Sequence, residues 1–565
     1  MSTVERGARR RQKAKSPLHI VFAASECLPF VKTGGLADVT ASLPKELAEL
    51  GHKVEIFIPL YLKALLYPIE NDTPIRQNKE FSEVRVRLGD YSFRSRIYST
   101  EMPDAPVKVH LVDSETYEYF TSRNAMSSPY SFNDNFGRFA FFSKVVATIS
   151  ARRPDKPDVI HAHDWPAGLV PTFMSTEHSG SGIATVFTIH NMGYTHTVMP
   201  PEFYRMTRLT DAEHPGLYDW KERGILHLDK IDMLKAGVVR SDMVSTVSPT
   251  YAEEIQSATF GGSYANTLRW LAGQGQLRGI LNGLDPMWRP AQPVEDFMAY
   301  KKAMKRQIQE IFDLPQDDDV FLIAMTSRLA HQKGYQLLPE ALAELRRRRV
   351  KMQLVAAVDG EPMLRDMLGG LDRPELRVRH RPYNESLTRL AIYPGSDSLL
   401  MPSVYEPCGL GQMIGQQNAT LPIVHATGGL RDTVQDGVTG FSFQRFGPNE
   451  VAGAVERAYK TYKENPAEWD AMRRRAMDLD YSWAKSAGLY VDLYREAIRR
   501  VHQRLGTGST TPPEPEKPKK TARPRTPTPT PRPRRATSEK AEPASSSTSE
   551  KAEPAAPTDT DETLN

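Results

Sequence analysis

Cysteine is nearly absent: Cys27 and Cys408 are the only two in 565 residues. A single pair cannot staple a chain of this length, so a secreted disulfide scaffold is excluded and a reducing location, the cytoplasm, is expected. Long apolar runs are missing too. No stretch of about 18 apolar residues occurs, so no membrane-spanning helix is expected. The first apolar stretch, residues 18–24, runs into Ser25-Glu26 and is too short for a secretory signal. Net charge is small as well, with 73 Lys/Arg against 69 Asp/Glu. The net +4 is concentrated in residues 1–16, which hold six Lys/Arg against one Glu; residues 506–565 hold ten against nine, and the body between carries −2. That balance excludes a basic nucleic-acid-binding body, so no nucleic-acid partner is expected.

The tail from about Gly506 has no aromatic residue. It carries 12 of the 43 prolines and repeats SEKAEPA at 538–544 and 549–555. Such a segment cannot bury enough apolar surface to offset its ordering entropy, so residues 506–565 are expected to be disordered. Residues 1–17 form a polar, basic arm, expected to be disordered; an organelle transit peptide is the alternative.

Between the tails, short apolar β-rich runs alternate with helical periodicity. LHIVFAA precedes Leu36, Val39, Leu43, Leu47 and Leu50 at helical spacing, with Gly51 as the stop, and KVEIFIP follows. Residues 320–327, a helix over about 336–349, and runs at 352–358, 397–402 and 421–427 repeat the scheme. Strand–helix alternation predicts parallel sheets covered by helices, in two blocks, 18–278 and 279–478. The expected fold class is α/β, with two Rossmann-like doubly wound domains facing each other and a ligand in the cleft outside the strand carboxyl ends.

Several loops carry candidate chemistry. Lys32-Thr33-Gly34-Gly35 lies between a strand and a helix, where the backbone can approach an anion and the helix offers free N–H groups; an ordinary glycine turn is the bland alternative. His161-Ala162-His163-Asp164-Trp165 and Thr188-Ile189-His190-Asn191 put histidines at strand ends. They fit structural histidines, groups reading sugar hydroxyls or metal ligands, but no Glu or Cys completes a metal set at familiar spacing. Arg328 and Lys333, in SRLAHQKG, offer a rigid fork and a point charge suited to a diphosphate, or are plain surface cations. Glu406, Cys408, Gly409 and Leu410 put a carboxylate and free N–H groups at a helix start; Cys408 reads as a packed, inert thiol rather than a nucleophile. Gly428-Gly429 is a second close-approach pair. Asp317–Asp319 reads as a solvated turn, and Arg346–Arg349 as cations complementing a helix C-terminus.

The order and placement of KTGGLADV (32–39), HAHDW (161–165), TIHNMGY (188–194), DMLKAGVVRSDMVSTVSPTYAEEI (232–255), GILNGLD (279–285), SRLAHQKG (327–334), YEPCGLGQ (405–412) and TGGLRDTV (427–434) resemble the bacterial glycogen synthases and plant starch synthases. The resemblance implies the twin Rossmann-like GT-B fold, with a C-terminal helix within 479–505 crossing back to the first domain. It implies transfer of glucose from ADP-glucose to an α-1,4-glucan, with no metal or other cofactor. Lys32, Gly35, Asp38 and Tyr130 would then bind the donor, Arg328 and Lys333 its diphosphate, and Asn282 would lie at the cleft hinge. His190 and Asp164 would meet the transferring glucose or the acceptor. Glu406, Cys408, Gly409, Leu410 and Gly428 would hold glucosyl hydroxyls and phosphate. Three departures stand out: Gly411 where the family usually has Thr or Ser, Ala356-Ala357-Val358-Asp359-Gly360 where a Gly-rich turn is common, and Thr195-His196 where Gln-Gly is frequent. A GT-B enzyme using UDP- or GDP-glucose and a glucan-binding scaffold without turnover are the rival readings. A dinucleotide-dependent oxidoreductase is not, because KTGGLADV lacks the G-x-G-x-x-G spacing.

Overall fold

Short apolar runs closed by Gly, Pro or Asp become strands buried on both faces. The computed structural model describes residues 16–506, apart from 71–73, 82, 115–128, 131, 133, 219–223 and 291–296. Almost all of the expected N-terminal arm and C-terminal tail lies outside these residues. The first part of the chain supplies β1 (His19–Ala23), β2 (Lys53–Pro59), β3 (Arg76–Gln77), β4 (Val84–Leu88), β5 (Tyr91–Glu101), β6 (Lys108–Ser114), β7 (Val159–His163) and β8 (Ala184–Ile189). A small antiparallel sheet of β9 (Thr197–Val198), β10 (Leu226–His227) and β11 (Lys230–Asp232) follows. Strands β12 (Met243–Thr246) and β13 (Leu277–Gly279) return to the first sheet, whose order is β13-β12-β8-β7-β1-β2-β6-β5-β3, with β4 on β5.

Around its centre this sheet is parallel, and β1, β7 and β8 are buried at every residue. Its far edge departs from the purely parallel expectation. Strand β5 runs antiparallel to β6, and β3 and β4 antiparallel to β5. The cause is a hairpin with alternating polar and apolar residues, turned at Gly89-Asp90, which needs cover on one face only. The second sheet joins β14 (Phe321–Leu329), β15 (Met352–Gly360), β16 (Leu376–Arg381), β17 (Ser398–Met401), β18 (Leu421–His425) and β19 (Phe441–Phe443), all parallel, in the order β16-β15-β14-β17-β18-β19.

The last helix, Trp483–Arg504, packs into the core of the first sheet through Trp483, Tyr490, Leu493, Tyr494 and Val501. Its entry and the outgoing chain at 281–284 pass side by side. Leu284 N–H donates to the Tyr481 carbonyl at 2.7 Å, the Ser486 hydroxyl donates to the Leu281 carbonyl, and a Cβ on Gly283 would come 2.8 Å from Trp483 Cα. Deeper in, the Tyr494 hydroxyl lies 2.9 Å from His161 Nδ1, while His161 Nε2 lies 2.6 Å from the Thr188 hydroxyl. His161 is therefore a fully partnered core histidine, held neutral because burial, with a contribution from His190, pushes its pKa well down. Tyr494→Phe would strand a buried ring nitrogen and is expected to cost about 1–3 kcal/mol, measured by urea unfolding.

A candidate active site where both sheets reverse their strand order

In doubly wound sheets the crevice opens where successive strands diverge to opposite sides. In the first sheet that point lies between β1 and β7, whose carboxyl ends lead into 24–35 and 164–168. In the second it lies between β14 and β17, whose carboxyl ends lead into 330–334 and 402–410. These four loops carry most of the residues singled out from the sequence.

The first loop is built on Glu26, which sequence reasoning missed. Its carboxylate accepts the N–H groups of Thr33 and Gly34 and the Tyr130 hydroxyl, and Tyr130 also lies 2.9 Å from the Ser25 hydroxyl. Burial raises the Glu26 pKa, and those hydrogen bonds oppose the rise. Tyr130 thus braces the loop from below. Lys32 Nζ sits 3.1 Å from Asp38 and 3.5 Å from Glu385, which belongs to the second sheet's side and is 353 residues away. Burial alone would lower the Lys32 pKa; Asp38 and Glu385 outweigh it and lift the pKa. The helix Gly35–Glu49 begins without a side-chain cap, and among the described residues no atom beyond the adjoining chain lies within 4 Å of a Cβ built on Gly34 or Gly35. The missing side chains leave open space beside an uncapped helix start, the arrangement an anionic ligand uses. Gly35→Ala should leave folding stability intact, since Ala favours a helix, and raise the donor KM about tenfold. Equal KM values for the two proteins would remove Gly35 from the site.

Across the crevice, Asp164 holds φ +53° and ψ −179°, a strained conformation for a residue other than glycine. Its Oδ1 accepts His190 N–H at 2.8 Å. Burial pushes its carboxyl up to about 7 against the backbone N–H groups of His190 and Asn191, although an edge of the residue remains accessible. His163 Nδ1 and His190 Nε2 lie 2.9 Å apart, and burial drives the His190 pKa down to about 3. Both rings are therefore neutral at pH 7. Thr195 hydrogen-bonds to Asp232 at 2.7 Å, and His196 stacks on Trp165 with ring centroids 5.4 Å apart, so these unusual residues pack against the first lobe.

In the second lobe Lys333 Nζ lies 2.7 Å from Glu406 Oε2, which also accepts the Ser403 hydroxyl at 3.0 Å. Gly334, at φ +79°, makes the turn possible: a Cβ there would come 1.8 Å from the Pro402 carbonyl oxygen. Arg328 is exposed, with its guanidinium 5.6 Å from the centre of the Tyr194 ring of the first lobe. Gly409 and Leu410 lead into the helix Gly411–Gln417, which has no side-chain cap. A Cβ on Gly411 would lie 3.3 Å from the Tyr393 hydroxyl, itself 3.1 Å from the Thr326 hydroxyl, so Tyr393 crowds the position where the family usually carries Thr or Ser. Cys408 is buried, its thiol pushed up to about 12 by desolvation and in contact with Asn282 at the crossing. It is a packed thiol, not a nucleophile.

Gly428 and Gly429 are close-approach glycines of another kind. Cβ atoms there would lie 2.0 Å from the Glu406 carbonyl oxygen and 2.1 Å from that of Cys408, so the approach is to the protein's own loop. The Gly428 N–H and the Thr427 hydroxyl both donate to Glu254 of the first lobe at 3.0 Å. Ser248 and Thr250, from the same segment, reach the Pro407 carbonyl (2.5 Å) and Asp432 (2.7 Å). Glu26, Glu254 and Glu385 share one feature that sequence reasoning lacked: each acts on a partner that is not its chain neighbour. For Glu26 alone there was a usable signal, a carboxylate directly after the first strand's carboxyl end. Among the described residues, no group of three or more His, Cys, Asp or Glu could hold a metal ion, and no helix is long and apolar enough to cross a membrane.

Two doubly wound sheets, one parallel throughout and one parallel around its switch point, with basic and glycine-rich loops at those points, define a GT-B glycosyltransferase. Residues 19–270 match the family described as starch synthase catalytic domain, and residues 306–475 match glycosyl transferases group 1. The chain belongs to the glycogen synthase family and is a hexosyltransferase. It is 37% identical to the glycogen synthase of Syntrophotalea carbinolica over 86% of this chain and all of that one, and 35% identical to that of Bacillus cereus (strain ATCC 10987 / NRS 248) over 85% and 100%. The catalytic domain of starch synthase IV from Arabidopsis thaliana, solved with ADP and acarbose, superposes with a TM-score of 0.73 at 27% identity, covering 86% of this chain and 100% of that one. Sucrose-phosphate synthase from Thermosynechococcus elongatus shares the fold at 17% identity and a TM-score of 0.52, covering 87% and 100%.

Proposed function

We propose that the enzyme transfers glucose from ADP-glucose to the non-reducing end of an α-1,4-glucan with retention of configuration, releasing ADP, in the cytoplasm. The observation that carries this reading is the ion pair between Lys333 on one switch-point loop and Glu406 on the other, with Arg328 exposed near the carboxyl end of β14 and the open glycine pair at 34–35 on the first sheet's switch-point loop. The Arabidopsis relative, which holds ADP and acarbose, supports the choice of nucleotide and acceptor class.

Bond cleavage at the anomeric carbon proceeds through an oxocarbenium-like state while negative charge grows on the departing diphosphate. Arg328, Lys333 and the N–H groups around Gly409 and Leu410 stabilise that charge. Lys333 shares its ammonium between the diphosphate and Glu406, which with Ser403 orients glucosyl hydroxyls. Lys32, Asp38 and Gly35 hold the donor from the first lobe. Asp164 and His190 line the acceptor side, and Asn282 sits at the crossing. The acceptor hydroxyl attacks on the leaving-group face and passes its proton to a diphosphate oxygen. Two protein cations take the role a metal plays elsewhere, so a chelator should leave the rate unchanged; a rate that falls with EDTA and returns with Mg²⁺ would overturn that part.

The reading is tested by incorporation of radiolabelled glucose into glycogen from ADP-glucose, UDP-glucose and GDP-glucose in parallel. ADP-glucose is expected to be used at least about tenfold faster. Preference for another donor, or glycogen binding without release of ADP, would contradict it.

A further inference from the structure

At the amino ends of β8, β12 and β13, on the edge of the first sheet opposite the crevice, lies a cavity of about 540 Å³. Three arginines line it, Arg240, Arg500 and Arg504, against one acid, Asp242, with Ser175 and Gln276 among the neutral groups. Asp242 is already engaged: one oxygen accepts the Thr185 N–H (2.8 Å) and hydroxyl (2.9 Å), the other accepts Arg504 at 2.6 Å. Arg500 is held by Glu496 at 2.8 Å and the Gln274 carbonyl at 2.9 Å. Arg240 has no acidic partner among the described residues. Its Nε donates to the Ser175 hydroxyl at 3.0 Å, and its two terminal nitrogens bond to no described residue. Burial and the nearby Arg504 charge both push its pKa down, so like charges are held together here.

Arg240 and Arg504 each end a helix, Met233–Arg240 and Trp483–Arg504, where a cation complements the carbonyl dipole. That role is met by an exposed side chain. It does not call for a half-buried, unpaired guanidinium beside a second one and a third. A planar guanidinium fork with two free nitrogens matches the oxygens of a phosphoryl group, and the Gln276 amide, which gives one N–H to the Asp242 carbonyl, keeps a second to donate.

We propose that this cavity is a second ligand site, separate from the crevice, that binds a small phosphoryl-bearing anion between Arg240 and Arg504. The bound anion offsets the repulsion between the two arginines and ties the last turn of the crossing helix to the helix Met233–Arg240. The other end of that crossing helix packs on Gly283 at the passage between the sheets, so the ligand braces the element that joins both lobes.

Calorimetric titration of inorganic pyrophosphate into the full chain, with ADP saturating the crevice, tests this. One saturable site per chain is expected, with a Kd below about 1 mM, weakened at least tenfold in R240Q and in R504Q while both variants keep wild-type turnover. Inorganic sulfate in place of pyrophosphate separates phosphoryl recognition from general anion attraction and should bind at least tenfold more weakly. Absence of a saturable site, equal affinity for sulfate, or affinity that survives both substitutions would overturn the proposal. Arg504 is mostly exposed, so R504Q decides the matter if R240Q does not fold.

Discussion

Arg328→Ala lowers turnover about a hundred- to a thousandfold while leaving stability untouched, the loss typical of removing one donor from developing transition-state charge. The side chain is exposed, lies against the face of Tyr194 and has no acidic hydrogen-bond partner among the described residues, so the fold should tolerate its loss. Lys333→Ala is expected to lose as much turnover, but with a second consequence. Its ammonium partners Glu406, whose side chain is only 7% exposed, and removing one member of such a pair leaves a buried charge unpaired. About 3–5 kcal/mol of stability goes with it. Adding Glu406→Gln to Lys333→Ala should restore most of that stability and none of the turnover. Unfolding and initial-rate measurements on the two variants separate the effects. Recovery of turnover in the double variant would mean that Lys333 serves the fold and not the diphosphate.

Asp164→Asn is expected to stabilise the protein at pH 8 and not at pH 5, while removing most of the activity. The native carboxyl titrates at about 7, far above its ordinary value of 3.8, because burial disfavours the charge. A group raised in this way contributes stability that is full below pH 4 and is lost as pH rises through 7. Above pH 7 the wild type therefore carries an ionised, largely buried carboxylate that the amide lacks. The gain is about 1–2 kcal/mol at pH 8, discounted for the edge of Asp164 that solvent reaches. The histidines set the acid side. His161, His163 and His190 are all depressed by burial, His190 to about 3, so their contribution is lost as pH falls below 6.5. Denaturant unfolding of both proteins from pH 5 to 8 checks the sign. Parallel stability curves would show that Asp164 does not titrate in this range.

Much of the scaffold was legible because its signals are local. KVEIFIP is the strand Lys53–Pro59 residue for residue, and the helix expected over 336–349 runs Leu338–Arg347. The antiparallel edge carries a different signal: VRVRLGDYSFRSR alternates cleanly about a Gly-Asp turn, a period-two pattern unlike the continuous apolar runs of the buried strands. In the site, loop placement at strand carboxyl ends was readable from order alone. What each side chain does there was not. Glu385 finds Lys32 across 353 residues, Glu254 finds Gly428 across 174, and Tyr494 finds His161 across 333. No spacing rule links such pairs. The two glycine pairs look alike in sequence, yet one faces open space and the other its own backbone. Only three-dimensional packing tells them apart.

A structure with bound ADP tests the central claim most directly. The account predicts both phosphates within hydrogen-bonding reach of Arg328, Lys333 and the N–H groups at 409–411, with Lys32 closing from the other lobe. Phosphates that sit away from Arg328 and Lys333, with the Lys333–Glu406 pair undisturbed, would contradict it.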